Sequence, residues 1–289
     1  IQAHAIAALR ACGVNIQRGN ESALRSFDPT TKTLTLSVQL PEPTATFQLL
    51  IQLALLTKND LIDATLDFAR FQSPAARDIA KLGLANYYAG AALMPYAPFL
   101  ERAHFLRHDL ERMAGEFGAS IEQVAHRLST MQRKGQKGIP FFFVRVDQAG
   151  TITKRHSATS MQFARFGGAC PLWNVHRAFE TPGQFLRQVA ETSDGKRYFC
   201  LARDVTKPGG AWGAPVRRYA IGLGCEMRHA GSLIYADGLN TGSNANFEPI
   251  GISCRICERS NCHQRSVPPL ERNLKVDPDL RGVLPYQIG

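Results

Sequence analysis

The spacing of apolar and polar positions changes along this chain from a helical period to a strand period near residue 135. Residues 1–13 read as a short Ala-rich helix stopped at Gly13. Residues 14–16 and 33–38 read as short strands, the second alternating Thr with apolar side chains. Residues 44–57, Thr-Ala-Thr-Phe-Gln-Leu-Leu-Ile-Gln-Leu-Ala-Leu-Leu-Thr, are apolar almost all round, which predicts the central core helix of a domain. Residues 64–70 continue helically, and Pro74 opens a helix running to about Leu93. Met94-Pro-Tyr96-Ala-Pro98 interrupts it, because proline lacks the helix donor and restrains the residue before it. That places Tyr96 on a rigid turn, with residues 99–117 helical again. Ser120 and Gln123 form a capping box for a helix whose buried stripe is Ile121, Val124, Ala125 and Leu128.

Beyond the basic, glycine-containing stretch 132–138 the pattern becomes that of strands. Residues 139–147 read as a buried strand, and after the turn at 148–150 residues 151–157 return as a hairpin. A glycine-rich turn and Cys170-Pro-Leu-Trp173 lead into a helix expected near 175–190. Residues 197–205 and 219–223 are further strands. The expected fold class is α+β: a mostly helical domain over 1–135, then over 136–289 an α+β sheet domain of the GAF/PAS-like kind used by small-ligand sensors.

Composition narrows the function classes. At 44% hydrophobic and 20% charged residues, the chain has the balance of an ordinary globular protein. No apolar run is long enough to cross a bilayer, and no charged-then-apolar leader opens it, so neither membrane nor secretion is expected. The chain begins in mid-pattern without Met, as a fragment lacking its N-terminal part would. Seven cysteines, odd in number and mostly scattered, suit a reducing cytoplasm better than a disulfide framework. A formal charge of +10 predicts an anionic partner, whether nucleic acid, a phosphate-bearing ligand or an acidic protein.

The chemistry concentrates in Cys254-Arg-Ile-Cys257-Glu-Arg-Ser-Asn-Cys262-His263. A CxxC turn brings two thiolates to one metal centre, and a third a few residues on can close over it; the polar loop is a poor place to hide apolar thiols. Cys225 is the expected fourth ligand, with His263 as the alternative in a Cys3His zinc site. Zinc and iron–sulfur centres both use such sets. Cys12, Cys170 and Cys200 are read as packing thiols. Arg145, Lys154 and Arg155, on paired strands of the hairpin, could converge on one face to hold phosphates. Tyr96 could cover an adenine, and Trp173 and Phe163 could line an acyl slot, although core packing competes for all three.

Several segments together resemble the ligand-binding part of the short-chain fatty acyl transcriptional regulators. They are Gly83-Leu-Ala-Asn-Tyr-Tyr-Ala-Gly with Leu93-Met-Pro-Tyr96; Phe141-Phe-Phe-Val-Arg-Val-Asp with Ala149-Gly and Lys154-Arg155; Gly167-Gly-Ala-Cys-Pro-Leu-Trp173; Leu223-Gly-Cys225; and Pro249-Ile-Gly-Ile-Ser-Cys-Arg-Ile-Cys-Glu-Arg259. The resemblance implies an N-terminal helix-turn-helix outside this chain that meets operator DNA, a metallopeptidase-like middle domain, and a sensor domain. It implies a short-chain acyl-CoA ligand, a four-cysteine [4Fe–4S] cluster and control of propionate and methylcitrate-cycle genes. The oligomeric state, homo-oligomer included, stays open.

One departure bears on enzymic activity. Metallopeptidases of the related class carry H-E-x-x-H on the core helix, two zinc ligands and a general base. Here the corresponding positions are Ile51, Gln52 and Leu55, two aliphatic side chains and an amide, so zinc hydrolysis is not expected. The competing expectation is a zinc-ribbon nucleic-acid module on a basic surface, without small-molecule sensing.

Overall fold

Gly13, at φ 79°, ends helix α1 (Gln2–Ala11) in the left-handed region that glycine adopts without a Cβ clash. The computed structural model describes residues 1–20, 22–163, 168–207, 212–242 and 246–288. The chain divides into a first unit, residues 1–105 with 110–127, and a second, residues 106–109 with 128–289. The glycine-containing stretch 132–138, expected as the boundary, therefore lies inside the second unit.

In the first unit β1 (Asn15–Gly19) pairs in parallel with β3 (Thr33–Ser37), and β2 (Arg25–Asp28) pairs antiparallel with β3's other edge. Asp28 shapes the β2–β3 turn, accepting hydrogen bonds from Thr30 N at 2.9 Å and Thr31 Oγ1 at 2.7 Å. Helix α2 (Glu42–Thr57) is the core helix that its composition predicts, burying Leu49, Leu50, Ile51 and Gln52 and packing on α1 and α4 (Pro74–Leu93). Helix α3 (Asn59–Asp67) lies between them in sequence and is tied to α4 by Asp63, which meets Arg77 and Lys81, each at 3.0 Å.

The single helix expected over 99–117 is two. Helix α5 (Tyr96–Phe105) already begins at Tyr96, and α6 (Leu110–Phe117) follows a break. Arg107 and His108 stand in the left-handed region, φ 50° and 61°, which no α-helix continues through. Tyr96 thus opens a helix instead of sitting on a turn, and Pro98 falls in the first turn, where a missing N–H is tolerated. The capping box of α7 (Ile121–Ser129) forms as predicted: Gln123 N donates to Ser120 Oγ at 3.2 Å, and Ser120 N to Gln123 Oε1 at 2.7 Å.

The second unit is built on a six-stranded sheet. Its strands are β4 (Phe141–Asp147), β5 (Ile152–Ser157), β6 (Leu186–Glu191), β7 (Arg197–Asp204), β8 (Tyr219–Glu226) and β9 (Glu248–Pro249), in the order β5-β4-β8-β7-β6-β9. All neighbours are antiparallel except β6 and β9. The helix expected near 175–190 is instead the short α8 (Asn174–Arg177) followed by strand β6. Thr181-Pro-Gly183 ends any helix there, and 186–191 is drawn into the sheet between β7 and β9. Residues 106–109 group with this unit, where Arg107 pairs with Asp237 at 2.6 Å and accepts from Ile234 N at 2.9 Å.

One face of the sheet presents Phe142, Val144, Cys200, Ala202 and Ala220 to Trp173, Val175 and Ile250. Glycine on β8 lets that layer close: a Cβ at Gly224 would lie 2.3 Å from Phe142 Cζ and 2.8 Å from the Phe199 carbonyl oxygen. A two-stranded ribbon, β10 (Leu274–Lys275) with β11 (Gln287–Ile288), lies near the C-terminus. Among the described residues no helix is long and apolar enough to cross a membrane.

Candidate functional site

Cys170 sits where the chain turns back over the sheet, and polar side chains bolt that turn down. Gln188 Nε2 on β6 donates to the Leu172 carbonyl at 2.8 Å, while its Oε1 accepts from Asn174 N at 3.1 Å. Asn174 Nδ2 donates in turn to the carbonyls of Leu186 and Cys200, at 3.1 and 3.3 Å. His176 Nε2 meets the Cys170 carbonyl at 3.0 Å. On the far side, Ile250 N donates to the Glu191 carbonyl at 3.0 Å, so the edge pairing of β9 delivers Gly251 and the cysteine loop to the same place.

There Cys170, Cys254, Cys257 and Cys262 line one small cavity, with Leu172, Ile250, Gly251, Arg259 and Arg265 around them. Gly251 makes room: a Cβ would stand 3.0 Å from the Cys257 sulfur and 4.0 Å from that of Cys170. Burial pushes the Cys170 thiol up, opposed by the main-chain amides of Gly251 and Leu172 directed at its sulfur. Ser266 N points likewise at Cys254 Sγ, at 3.5 Å. Hydrogen bonds to sulfur of this kind tune thiolate-bound metal groups. Four thiols and their amide donors fit a thiolate-bound metal group. Among the described residues, however, no three His, Cys, Asp or Glu side chains gather closely enough for a single metal ion. One zinc with four thiolates at about 2.3 Å would need sulfurs only about 3.8 Å apart.

Two expectations for the fourth ligand are corrected. Cys225 lies on β8 opposite Phe141 and Phe199, whereas its neighbour Gly224 lies opposite Phe142 and Cys200. Side chains alternate across a strand, so Cys225 points to the sheet face opposite the one that carries Phe142, Trp173 and Cys170. Burial raises its thiol strongly and pushes that of Cys200 up to about 12, as suits packing thiols. His263 is exposed and does not line the cavity. Cys170, read from sequence as a packing thiol, lines the cavity beside the three loop cysteines. Gly167 of its glycine-rich motif lies outside the described residues.

The hairpin cations do not all share a face. Arg145 pairs with Lys154 across β4 and β5, but Arg155 stands opposite Val144 and so projects on the other side. The Arg145 guanidinium lies 4.4 Å from the Tyr219 ring centroid and donates to Thr153 Oγ1 at 3.0 Å. Trp173 is 4% exposed and stacks in the core, 5.7 Å from the Phe142 ring and 6.0 Å from Phe163. In the first unit, Tyr96 and Tyr87 flank the buried Arg127 guanidinium at 5.8 and 5.9 Å, and Arg127 Nε donates to the Met94 carbonyl at 3.1 Å. Sequence reading overlooked Arg127, which is buried on α7 outside the predicted apolar stripe, where a cation is unexpected. Ile51, Gln52 and Leu55 all lie on α2, where a metallopeptidase would carry its zinc ligands and base.

Known proteins place both halves. Residues 130–286 match the model of the short-chain fatty acyl coenzyme A regulator C-terminal region, and residues 14–129 match the IrrE N-terminal-like domain of the M78 peptidases. The chain is 68% identical over 98% of its length to a propionyl-CoA carboxylase regulator of Cereibacter sphaeroides, covering 61% of that protein. It is 44% identical to the HTH-type regulator RamB of Mycobacterium tuberculosis and 43% identical to that organism's PrpR, over 93% and 92% of the chain and 57% and 55% of the relatives. The chain therefore spans little more than half the length of these relatives. A solved M. tuberculosis transcriptional regulator superposes with a TM-score of 0.90 at 40% identity, over 98% of this chain and 88% of that one.

Proposed function

This chain belongs to the short-chain fatty acyl coenzyme A regulator family, and on that premise we propose that it is the ligand-sensing region of a bacterial transcription regulator. The observation that carries the reading is the 68% identity, over 98% of the chain, to a protein named for regulating propionyl-CoA carboxylase. The ligand is a short-chain acyl-CoA of the propionyl-CoA kind, bound in the cytoplasm. The target is operator DNA, met by a helix-turn-helix of the full-length regulator, and the genes are those of propionate metabolism. Ligand acts by binding two states of the regulator with different affinity, because equal affinity would shift nothing.

The second unit supplies the sensor. Its five longer strands run second-first-fifth-fourth-third across the sheet, an order that supports a GAF- or PAS-like module. Arg145 and Lys154, which share one face of the hairpin, are the residues of this unit proposed to meet the CoA phosphates. The four thiols that line one cavity, Cys170, Cys254, Cys257 and Cys262, are the residues proposed to hold a [4Fe–4S] cluster, with zinc as the alternative. Such a cluster would supply a redox-active cross-link between the 170–176 turn and the C-terminal lobe. Peptidase chemistry is not part of this function, since Ile51 and Leu55 offer no metal ligand and Gln52 no base.

Calorimetric titration of the chain with propionyl-CoA at physiological salt tests the reading. Saturable one-site binding is expected. Absence of saturation, with DNA affinity that falls steeply as salt rises, would instead favour the zinc-ribbon nucleic-acid module.

A further inference from the structure

Arg265 is the polar group in the second unit that the fold alone explains least. It is 7% exposed and lines the cavity of the four cysteines. Its Nη1 donates to the carbonyls of Cys254 and Cys257 at 3.1 and 3.3 Å, and its Nη2 to those of Cys257 and Arg259. Nε is buried without a hydrogen-bond partner, and among the described residues no carboxylate pairs with this guanidinium. Arginine keeps its proton in any protein environment. A cation taken out of water and met only by carbonyl dipoles leaves a charge uncompensated. Among the groups lining this cavity, only the cysteine thiols can become anionic.

We infer that Arg265, the more buried of the two guanidiniums lining the four-thiol site, is a fixed positive charge there, a positioning residue that favours the metal-loaded state by offsetting the thiolates. The inference rests on the metal-centre reading above. It acts in two ways. The guanidinium gathers the carbonyls of Cys254 and Cys257 on its own side, which fixes the course of the CxxC turn. Its charge, fixed at the wall of the cavity, offsets the negative charge that a thiolate-bound metal group brings there. Outer groups of this kind tune both affinity and potential.

The test compares the anaerobically reconstituted chain with its Arg265→Gln and Arg265→Lys variants. Iron and zinc content, the rate of metal loss to a chelator and, where iron is bound, the midpoint potential are read for each. Gln retains donors without charge, and Lys retains charge without the planar fork. The expected result is loss of metal about 10-fold faster or more in the Gln variant, a more negative midpoint for whatever cluster it retains, and wild-type-like retention in the Lys variant. Wild-type retention and potential in the Gln variant overturn the inference. So does a Lys variant that fails as completely as Gln, which would make Arg265 a hydrogen-bonding brace alone. A wild-type chain that takes up neither metal fails the underlying reading, and the inference falls with it.

Discussion

Cys170→Ala and Cys225→Ala form a pair in which packing losses match and ligand losses do not. Both side chains are buried, and each substitution deletes one sulfur, a loss of about 1 kcal/mol for a single buried heavy atom in a core that relaxes little. In metal-free protein the two variants should therefore denature alike, their midpoints about 2–4 °C below that of the parent. In reconstituted protein they should part. Cys225 points to the far face of the sheet and lines no part of the thiol cavity, so its variant should keep the parent's metal content and absorbance. Cys170→Ala removes a ligand outright, which should weaken metal binding by more than the about 10–100-fold attached to losing an outer partner. Metal analysis after gel filtration, with thermal melts of loaded and metal-free samples, reads both effects. The placement of the site is refuted if Cys225→Ala loses the metal while Cys170→Ala keeps it.

Gly224→Ala should destabilise the chain by about 1–3 kcal/mol, because its Cβ would overlap Phe142 and the Phe199 carbonyl, which the β7–β8 ladder holds in place. A change in urea midpoint worth less than about 0.5 kcal/mol would show that the layer gives way easily. Hydrogen bonds from Lys81 and Arg77 hold the Asp63 carboxyl below the usual carboxylate range. Its stabilising contribution is thus full above the unfolded value of about 3.9 and lost as pH falls through the folded one. Asp63→Asn should flatten the acid limb of stability against pH, and parallel limbs in the two proteins would exclude the effect.

Local chemistry made some elements legible. Pro74, and Met94-Pro95 after Leu93, mark both ends of α4; the structure adds a cap, Ser73 Oγ accepting from Ala76 N at 3.2 Å. Residues 186–191 were not legible, since Leu-Arg-Gln-Val-Ala-Glu serves either period and only its neighbours in the sheet decide for the strand. Three of the four thiols that line the cavity stand out in their C-x2-C-x4-C spacing, while the fourth was hidden by distance along the chain. One signal was present: Cys200 and Cys225 sit in apolar strand runs, whereas Cys170 sits in a Gly-Ala-Cys-Pro turn, where packing has little use for a thiol. The two-face split of Arg145 and Arg155 follows from alternation along β5 once the register is known, and register is not written in a single strand.

Because the thiols come from Cys170 and from a loop beginning at Cys254, the site spans roughly eighty residues of chain, a long loop to close before any contact rewards it. Strands β6, β7 and β8 lie within that span, so the cavity cannot exist until most of the sheet has formed. On the proposed metal reading, uptake is a late event in folding and reports on whether the sheet was built in the right register.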